Sequence, residues 1–316
     1  MPDPSTPAGG TSAPGAPDPD PRDPGTGGSL ALGDVLRIAD RLGVDVAVAA
    51  ARADGTGPVL GHRPLEPWPG ASLYKTLAAL ALLRVPGLDP SERVTVTAAD
   101  RVPGGAGLSL LGDPVTLSWR DLLRSMLVGS DNTAAQVILR RTGIPALDAV
   151  ACDAGMTSTA VGTTAQTVAA AVSARRAGGS GSGTDRDDSL LAEAASDAVL
   201  GSTTTASDQL RLLTALWQGR LAGPADTELV IGTMGRLVQR SRITSAFDHP
   251  GARVAGRTGT WGPFRHESAL VMHEGEVPIA VCVLTESLEI GRLLPAVDDG
   301  IGEIAAALVG ELRSSR

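Results

Sequence analysis

Ala71-Ser72-Leu73-Tyr74-Lys75-Thr76 holds the only lysine among 316 residues; every other member of the 27 lysines and arginines is an arginine. Arginine stays protonated at any relevant pH, whereas a lysine can lose its proton when desolvated or placed near another cation. Read as a helix, the stretch puts residues i and i+3 on one face, so the Ser72 hydroxyl and the Lys75 amine can meet. That is a nucleophile with an adjacent base. The plain alternative is a surface lysine, because chance alone sets a serine three residues before a given lysine roughly one time in fifteen. From Ser72 to Leu83 every residue except Lys75 and Thr76 is apolar, small or aromatic, a pattern that predicts a helix buried on all sides. A serine at the start of such a helix lies in a favourable dipole beside backbone N–H groups.

Composition narrows the class of protein. Apolar residues make up 42 % and charged residues 20 %, ordinary values for a globular chain. Aromatics are only 2 %, so the core must be aliphatic. A net charge of −8 without basic runs argues against nucleic acid and against an anionic membrane surface. No apolar run approaches the roughly 20 residues of a membrane helix. Cys152 and Cys282 lie outside any paired spacing and read as small core residues without a disulfide. His62, His249, His266 and His273 show no metal-ligand spacing. The expectation is a monomer acting on a small molecule, with no metal, no cofactor, and no nucleic-acid or membrane partner.

Residues 1–28 are mostly Pro, Gly, Ser, Thr, Ala and Asp, and such a stretch is expected to be disordered. It lacks the basic start and apolar region of a secretory signal, so the expected location is cytoplasmic, or extracellular if the true start lies elsewhere. Leu30 to Leu42 predicts a helix ended by Gly43. Val44 to Ala50 and Pro58 to Leu60 predict strands around an Asp54-Gly55 turn. Capping boxes Ser118-x-x-Asp121 and Thr205-x-x-Asp208 open two helices, Ser118 to Val128 and Thr204 to Gly219. Helices are also expected over Thr133 to Arg141, Ile144 to Ala154, Glu228 to Arg240 and Pro295 to Leu312, with a surface insertion over Gly178 to Asp188. Val254 to Thr260, Ser268 to His273 and Ile279 to Thr285 predict strands. Strands thus lie at both ends and helices between them. The fold class expected is mixed α+β, with an antiparallel sheet flanked by terminal helices. Its α/β part comes from about 29–68 and 245–316, and an all-helical part from about 69–244 is inserted, leaving a cleft between as the default site.

Three motifs occur in order: Ser72-Leu-Tyr-Lys75, Ser130-Asp131-Asn132 and Arg257-Thr258-Gly259. Taken singly, the second is an ordinary helix N-cap and the third an arginine on an edge strand. Together the set resembles the penicillin-recognising serine enzymes, closest to class A β-lactamases and related D,D-peptidases, whose marks are S-x-x-K, S-D-N and K-T-G. The resemblance runs from about Leu30 to Leu312. It implies that Ser72 attacks an amide, ester or lactam carbonyl and forms an acyl-enzyme, with Lys75 taking the hydroxyl proton. Ser130 would relay a proton to the departing nitrogen, and Asp131 would pin its loop. Asn132 would bind the substrate's amide side chain and Lys75. The backbone N–H groups of Ser72 and Thr260 would form the oxyanion hole. Arg257, Thr258, Gly259 and Thr260 would line the substrate.

The chain departs from that family twice. Arginine replaces lysine in the third motif, where a permanent charge suffices to favour a substrate carboxylate. The loop glutamate that activates the deacylating water in class A β-lactamases is also missing: Gly155 to Gly183 contains no Asp or Glu. Gln166 stands near the expected separation, but an amide is no base. Asp185, Asp187, Asp188 and Glu193 are the nearby carboxylates. The expectation is a serine hydrolase that acylates readily and deacylates slowly. The rivals are a genuine class A β-lactamase, a D,D-peptidase or biosynthetic acyl transferase, and a non-catalytic binding protein on the same fold.

Overall fold

A computed structural model of the protein describes residues 29–102, 107–163, 201–287 and 293–315. The expected disordered tail over 1–28, the insertion over Gly178 to Asp188, and Gln166, Asp185, Asp187, Asp188 and Glu193 lie outside these residues.

Among the described residues the frame is an antiparallel sheet that joins the two ends of the sequence. Strand β1 (Val44–Arg52) lies between β2 (Leu60–His62) and β10 (Ile279–Ser287), followed by β9 (Phe264–His273) and then β8 (Ala252–Trp261) at the edge. Side chains alternate between two faces along each strand, and here both faces are apolar. Ala47, Ala49, Cys282 and Leu284 join one core; Val46, Val48, Val281 and Val283 join the other. A sheet buried on both sides reads as continuous small and β-branched residues rather than a clean polar alternation.

The valine-rich face packs on helix α1 (Leu30–Leu42), the short α8 (Ile243–Ala246) and the long α9 (Pro295–Ser314). Ile301, Ile304 and Leu308 of α9 are fully buried there, each such side chain contributing about 1.5–3 kcal/mol. Gly43, at φ 62°, closes α1 in the left-handed region that glycine tolerates best. The alanine-rich face carries the remaining helices: α2 (Lys75–Leu83), α3 (Trp119–Val128), α4 (Asn132–Thr142), α5 (Ile144–Asp153), α6 (Ala206–Trp217) and α7 (Pro224–Met234). Eight of the nine residues of α2 are buried, so this helix is the axle of that layer.

Several boundaries differ from the sequence expectation. Ser72 precedes α2 in a 3-10 turn, Ala71–Tyr74. Helix α7 starts at Pro224, whose missing N–H costs nothing in a first turn, and stops at Met234 instead of running to Arg240. Short strands β3 (Trp68–Pro69), β4 (Arg93–Val96), β5 (Val115–Ser118), β6 (Ala160–Thr163) and β7 (Gly201–Thr204) form two further small sheets. The partner strand expected over Pro58 to Leu60 sits at Leu60–His62. Cys282 is buried, but Cys152 is exposed near the end of α5 and is no core residue; both are free.

Candidate active site

Ser72 is delivered by a turn held from three sides. Gly70 N–H donates to Ser202 O at 2.7 Å, the Ser202 hydroxyl donates to Ala71 O at 3.2 Å, and Leu73 N–H closes onto Gly70 O at 3.0 Å. Within that grip Ala71 adopts φ 44°, a conformation that costs a non-glycine residue on the order of 1–3 kcal/mol and persists only where the surroundings impose it. Gly259 on β8 allows the sheet to close on this turn. A Cβ there would come within 3.1 Å of Gly70 O and 3.3 Å of Ala71 Cβ.

Lys75 has no exposed surface, which removes the surface-lysine reading. Its Nζ donates to Ser130 O and to Asn132 Oδ1, both at 2.6 Å, and lies 3.2 Å from Ser130 Oγ. A carbonyl and an amide oxygen can only accept, so the two short contacts consume two N–H groups. A neutral amine then has its lone pair left for the third direction, toward Ser130 Oγ. Burial, helped by the Arg257 charge and opposed by Asp131, holds the Lys75 pKa well below 10.5. Ser130 Oγ is in turn 3.2 Å from Ser72 Oγ. The three groups form a line, Ser72–Ser130–Lys75, along which a proton can pass.

Asp131 builds the loop that presents Ser130. Only 1 % exposed, it accepts from Ser125 Oγ at 2.6 Å, Leu108 N at 2.9 Å and Ala134 N at 3.1 Å, capping α4 while tying it to α3 and the 107–110 turn. Ser130 itself stands at φ 58°, a second strained residue one bond from the cap.

Arg257 lies beneath the two serines, with no exposed surface. It donates from Nε to Ser72 O at 3.1 Å, from one Nη to Leu127 O at 2.9 Å, and from the other to Ser130 Oγ. No carboxylate of the described residues pairs with it. Its pKa is pulled down to about 10 by burial, so it remains charged at neutral pH. The structure therefore brings together Ser72, Lys75, Ser130, Asn132 and Arg257. Thr258 and Thr260 alternate with Arg257 and Gly259, so their side chains point to the other face of β8. Thr260 Oγ1 accepts from Arg242 at 2.8 Å.

Two residues of this region escaped the motif reading. Arg242 is 1 % exposed and donates to Asp298, Gly259 O, His266 O and Thr260. Because it takes the Gly259 carbonyl, the following trans peptide sends Thr260 N–H the opposite way. Among so many arginines nothing marked it. His266 is buried and meets Pro69 O through Nε2 at 2.8 Å. Its signal was a polar residue on the inward face of β9, in step with Phe264 and Leu270. No cluster of His, Cys, Asp and Glu among the described residues is arranged to hold a metal ion.

The sequence profile of the Beta-lactamase enzyme family matches residues 36–312. The chain belongs to this family. Among solved structures, the β-lactamase from Sphaerobacter thermophilus DSM 20745 superposes with a TM-score of 0.72 at 20 % identity, covering 90 % of this chain and 97 % of that one. PBP-A gives 0.72 at 16 % identity, covering 93 % and 99 %; a point mutant of PBP-A is an acyl-enzyme complex with penicillin G. An ancestral class A β-lactamase gives 0.70 at 23 % identity, covering 89 % and 100 %. At these identities the likeness is one of fold. A sequence comparison with curated proteins finds no match. As a member of the Beta-lactamase enzyme family with this fold, the protein is a serine hydrolase. No helix of the described residues is long and apolar enough to cross a membrane.

Proposed function

We propose that this serine hydrolase forms an acyl-enzyme at Ser72 with a carboxylate-bearing amide, lactam or ester and releases it slowly. The observation that carries the proposal is the buried Lys75, its two short hydrogen bonds spent on acceptors and its third direction aimed at Ser130. Ser72 Oγ bonds the carbonyl carbon while its proton passes to Ser130 Oγ and the Ser130 proton to Lys75 Nζ. The Ser72 and Thr260 N–H groups hold the resulting oxyanion. On collapse the carbon–nitrogen or carbon–oxygen bond breaks, and the proton returns through Ser130 to the leaving group.

Arg257 supports an anionic substrate. A buried cation without a carboxylate partner is costly, and a substrate carboxylate at the mouth would relieve it. Slow release follows from the absence of Asp and Glu between Gly155 and Gly183, which leaves that stretch without a base for the deacylating water.

Intact-mass spectrometry against benzylpenicillin over time tests both halves. The expected result is an adduct persisting for minutes in the wild type and missing in Ser72→Ala. No adduct on folded wild type would sink the mechanism, and one that vanishes at ordinary turnover rates would sink slow deacylation. Benzylpenicillin methyl ester should acylate about tenfold more slowly than the free acid, since the buried Arg257 acts on the carboxylate through its charge across a low-dielectric site, an effect of about 1.4 kcal/mol.

A further inference from the structure

His266 is a polar ring where β9 otherwise turns Phe264 and Leu270 inward. Thr285 N–H donates to Nδ1 at 3.2 Å, so Nδ1 is an acceptor and the ring proton sits on Nε2. Nε2–H then donates to Pro69 O at 2.8 Å. The ring is wedged edge-on to Trp68, with centroids 6.3 Å apart, and against Phe264 at 5.9 Å. On its other side Arg242 takes the His266 carbonyl at 2.8 Å. One residue thereby connects the back of the sheet to the segment leading into the nucleophile. Burial drives its pKa down to about 3, so it stays a neutral, single-tautomer donor throughout the working pH range.

Pro69 O lies two residues before the strained Ala71 and three before Ser72. Ser202 holds Gly70 N and Ala71 O; His266 holds the third point of the same segment. We propose that His266 is a positioning residue for Ser72, its Nε2–H fixing the Pro69 carbonyl and, through it, the left-handed Ala71 that aims the Ser72 N–H into the oxyanion hole. This rests on the acyl-enzyme reading above. A buried carbonyl needs a donor in any protein, so a purely structural role predicts lost stability alone. A positioning role predicts a slower chemical step at unchanged binding.

The test uses the full chain with His266→Leu and His266→Gln, the latter keeping an N–H donor, and His266→Met should the leucine variant not fold. In the donor-less variants the acylation rate constant for benzylpenicillin should fall about 30-fold, short of the 100-fold or more typical of removing an oxyanion donor outright. The non-covalent dissociation constant should stay within about threefold. His266→Gln should recover most of the rate. In parallel, amide hydrogen exchange over residues 68–74 should quicken at least about tenfold in the donor-less variants and not in His266→Gln. A folded donor-less variant that acylates normally, equal losses in the glutamine and leucine variants, or unchanged exchange over 68–74 would each overturn the proposal. The exchange arm needs no substrate, so unchanged exchange overturns the proposal even if wild type forms no adduct, an outcome that counts against the acyl-enzyme reading instead.

Discussion

Ser130 carries the heaviest chemical duties at the worst backbone angle. Its Oγ touches Ser72, Lys75 and Arg257, yet φ 58° is a region that a serine enters only when forced. Ser130→Gly should relax the backbone but leave a buried Arg257 N–H without its acceptor, so stability should change by no more than about 1 kcal/mol, while acylation falls about 100-fold or more; thermal melts and adduct formation measured together check this. Asp131→Ala should do the reverse of a clean swap. It orphans the Ser125 hydroxyl and the Leu108 and Ala134 N–H groups, each loss costing roughly 1 kcal/mol or more, and lets Ser130 drift. Both stability and acylation should fall. The nearness of Ser72 and Lys75 was readable in sequence, because its signal is a rare residue close to a serine; that Ser130 Oγ links the two was not. The burial that depresses the lysine was readable only as an apolar run. The role of Arg242 was not readable at all, because a buried arginine and a surface one are the same letter.

At the level of elements, caps proved the most legible feature. Ser118 Oγ accepts from Asp121 N at 3.1 Å and Thr205 Oγ1 from Asp208 N at 3.0 Å, as their spacing implied, since both partners lie within one turn. The short strands of the two small sheets were illegible, since nothing local announces a pairing such as that of β3 with β7, which joins Trp68 to Thr204. The short α8 holds a titrating group. Glu267 is buried, accepts from Ile243 N at 2.7 Å and Thr244 Oγ1 at 3.2 Å, and its pKa is raised by burial from 4.5 to about 7. A carboxyl that binds its proton more tightly folded than unfolded stabilises below pH 4.5 and loses that contribution as pH climbs through about 7. The loss is on the order of 3 kcal/mol. Buried neutral His266 contributes in the opposite sense below pH 6.5, so the readout is a difference: the melting temperature of wild type relative to Glu267→Gln, which can keep one acceptor and gain a donor toward Thr244, should fall between pH 5 and 8.

At the scale of the whole molecule, the sheet joins sequence ends that read as separate strand clusters, pairing Val44 with Ser287 and Arg52 with Ile279. That strands lie at both ends was legible; which strand sits beside which was not, since order depends on contacts hundreds of residues apart. The single ε-amine sealed inside α2 also makes the protein its own reporter. Amine-directed reagents that decorate most proteins at many points find no lysine on this surface. Modification of Lys75 therefore requires the layer around α2 to open, and its rate under native conditions measures how often that happens. With formaldehyde and a borohydride reductant, which alkylate amines and spare hydroxyls, peptide mapping should show Lys75 untouched over hours at 25 °C and labelled in step with loss of adduct-forming capacity on warming. Labelling of Lys75 ahead of that loss would mean that the active-site layer opens without the rest of the fold.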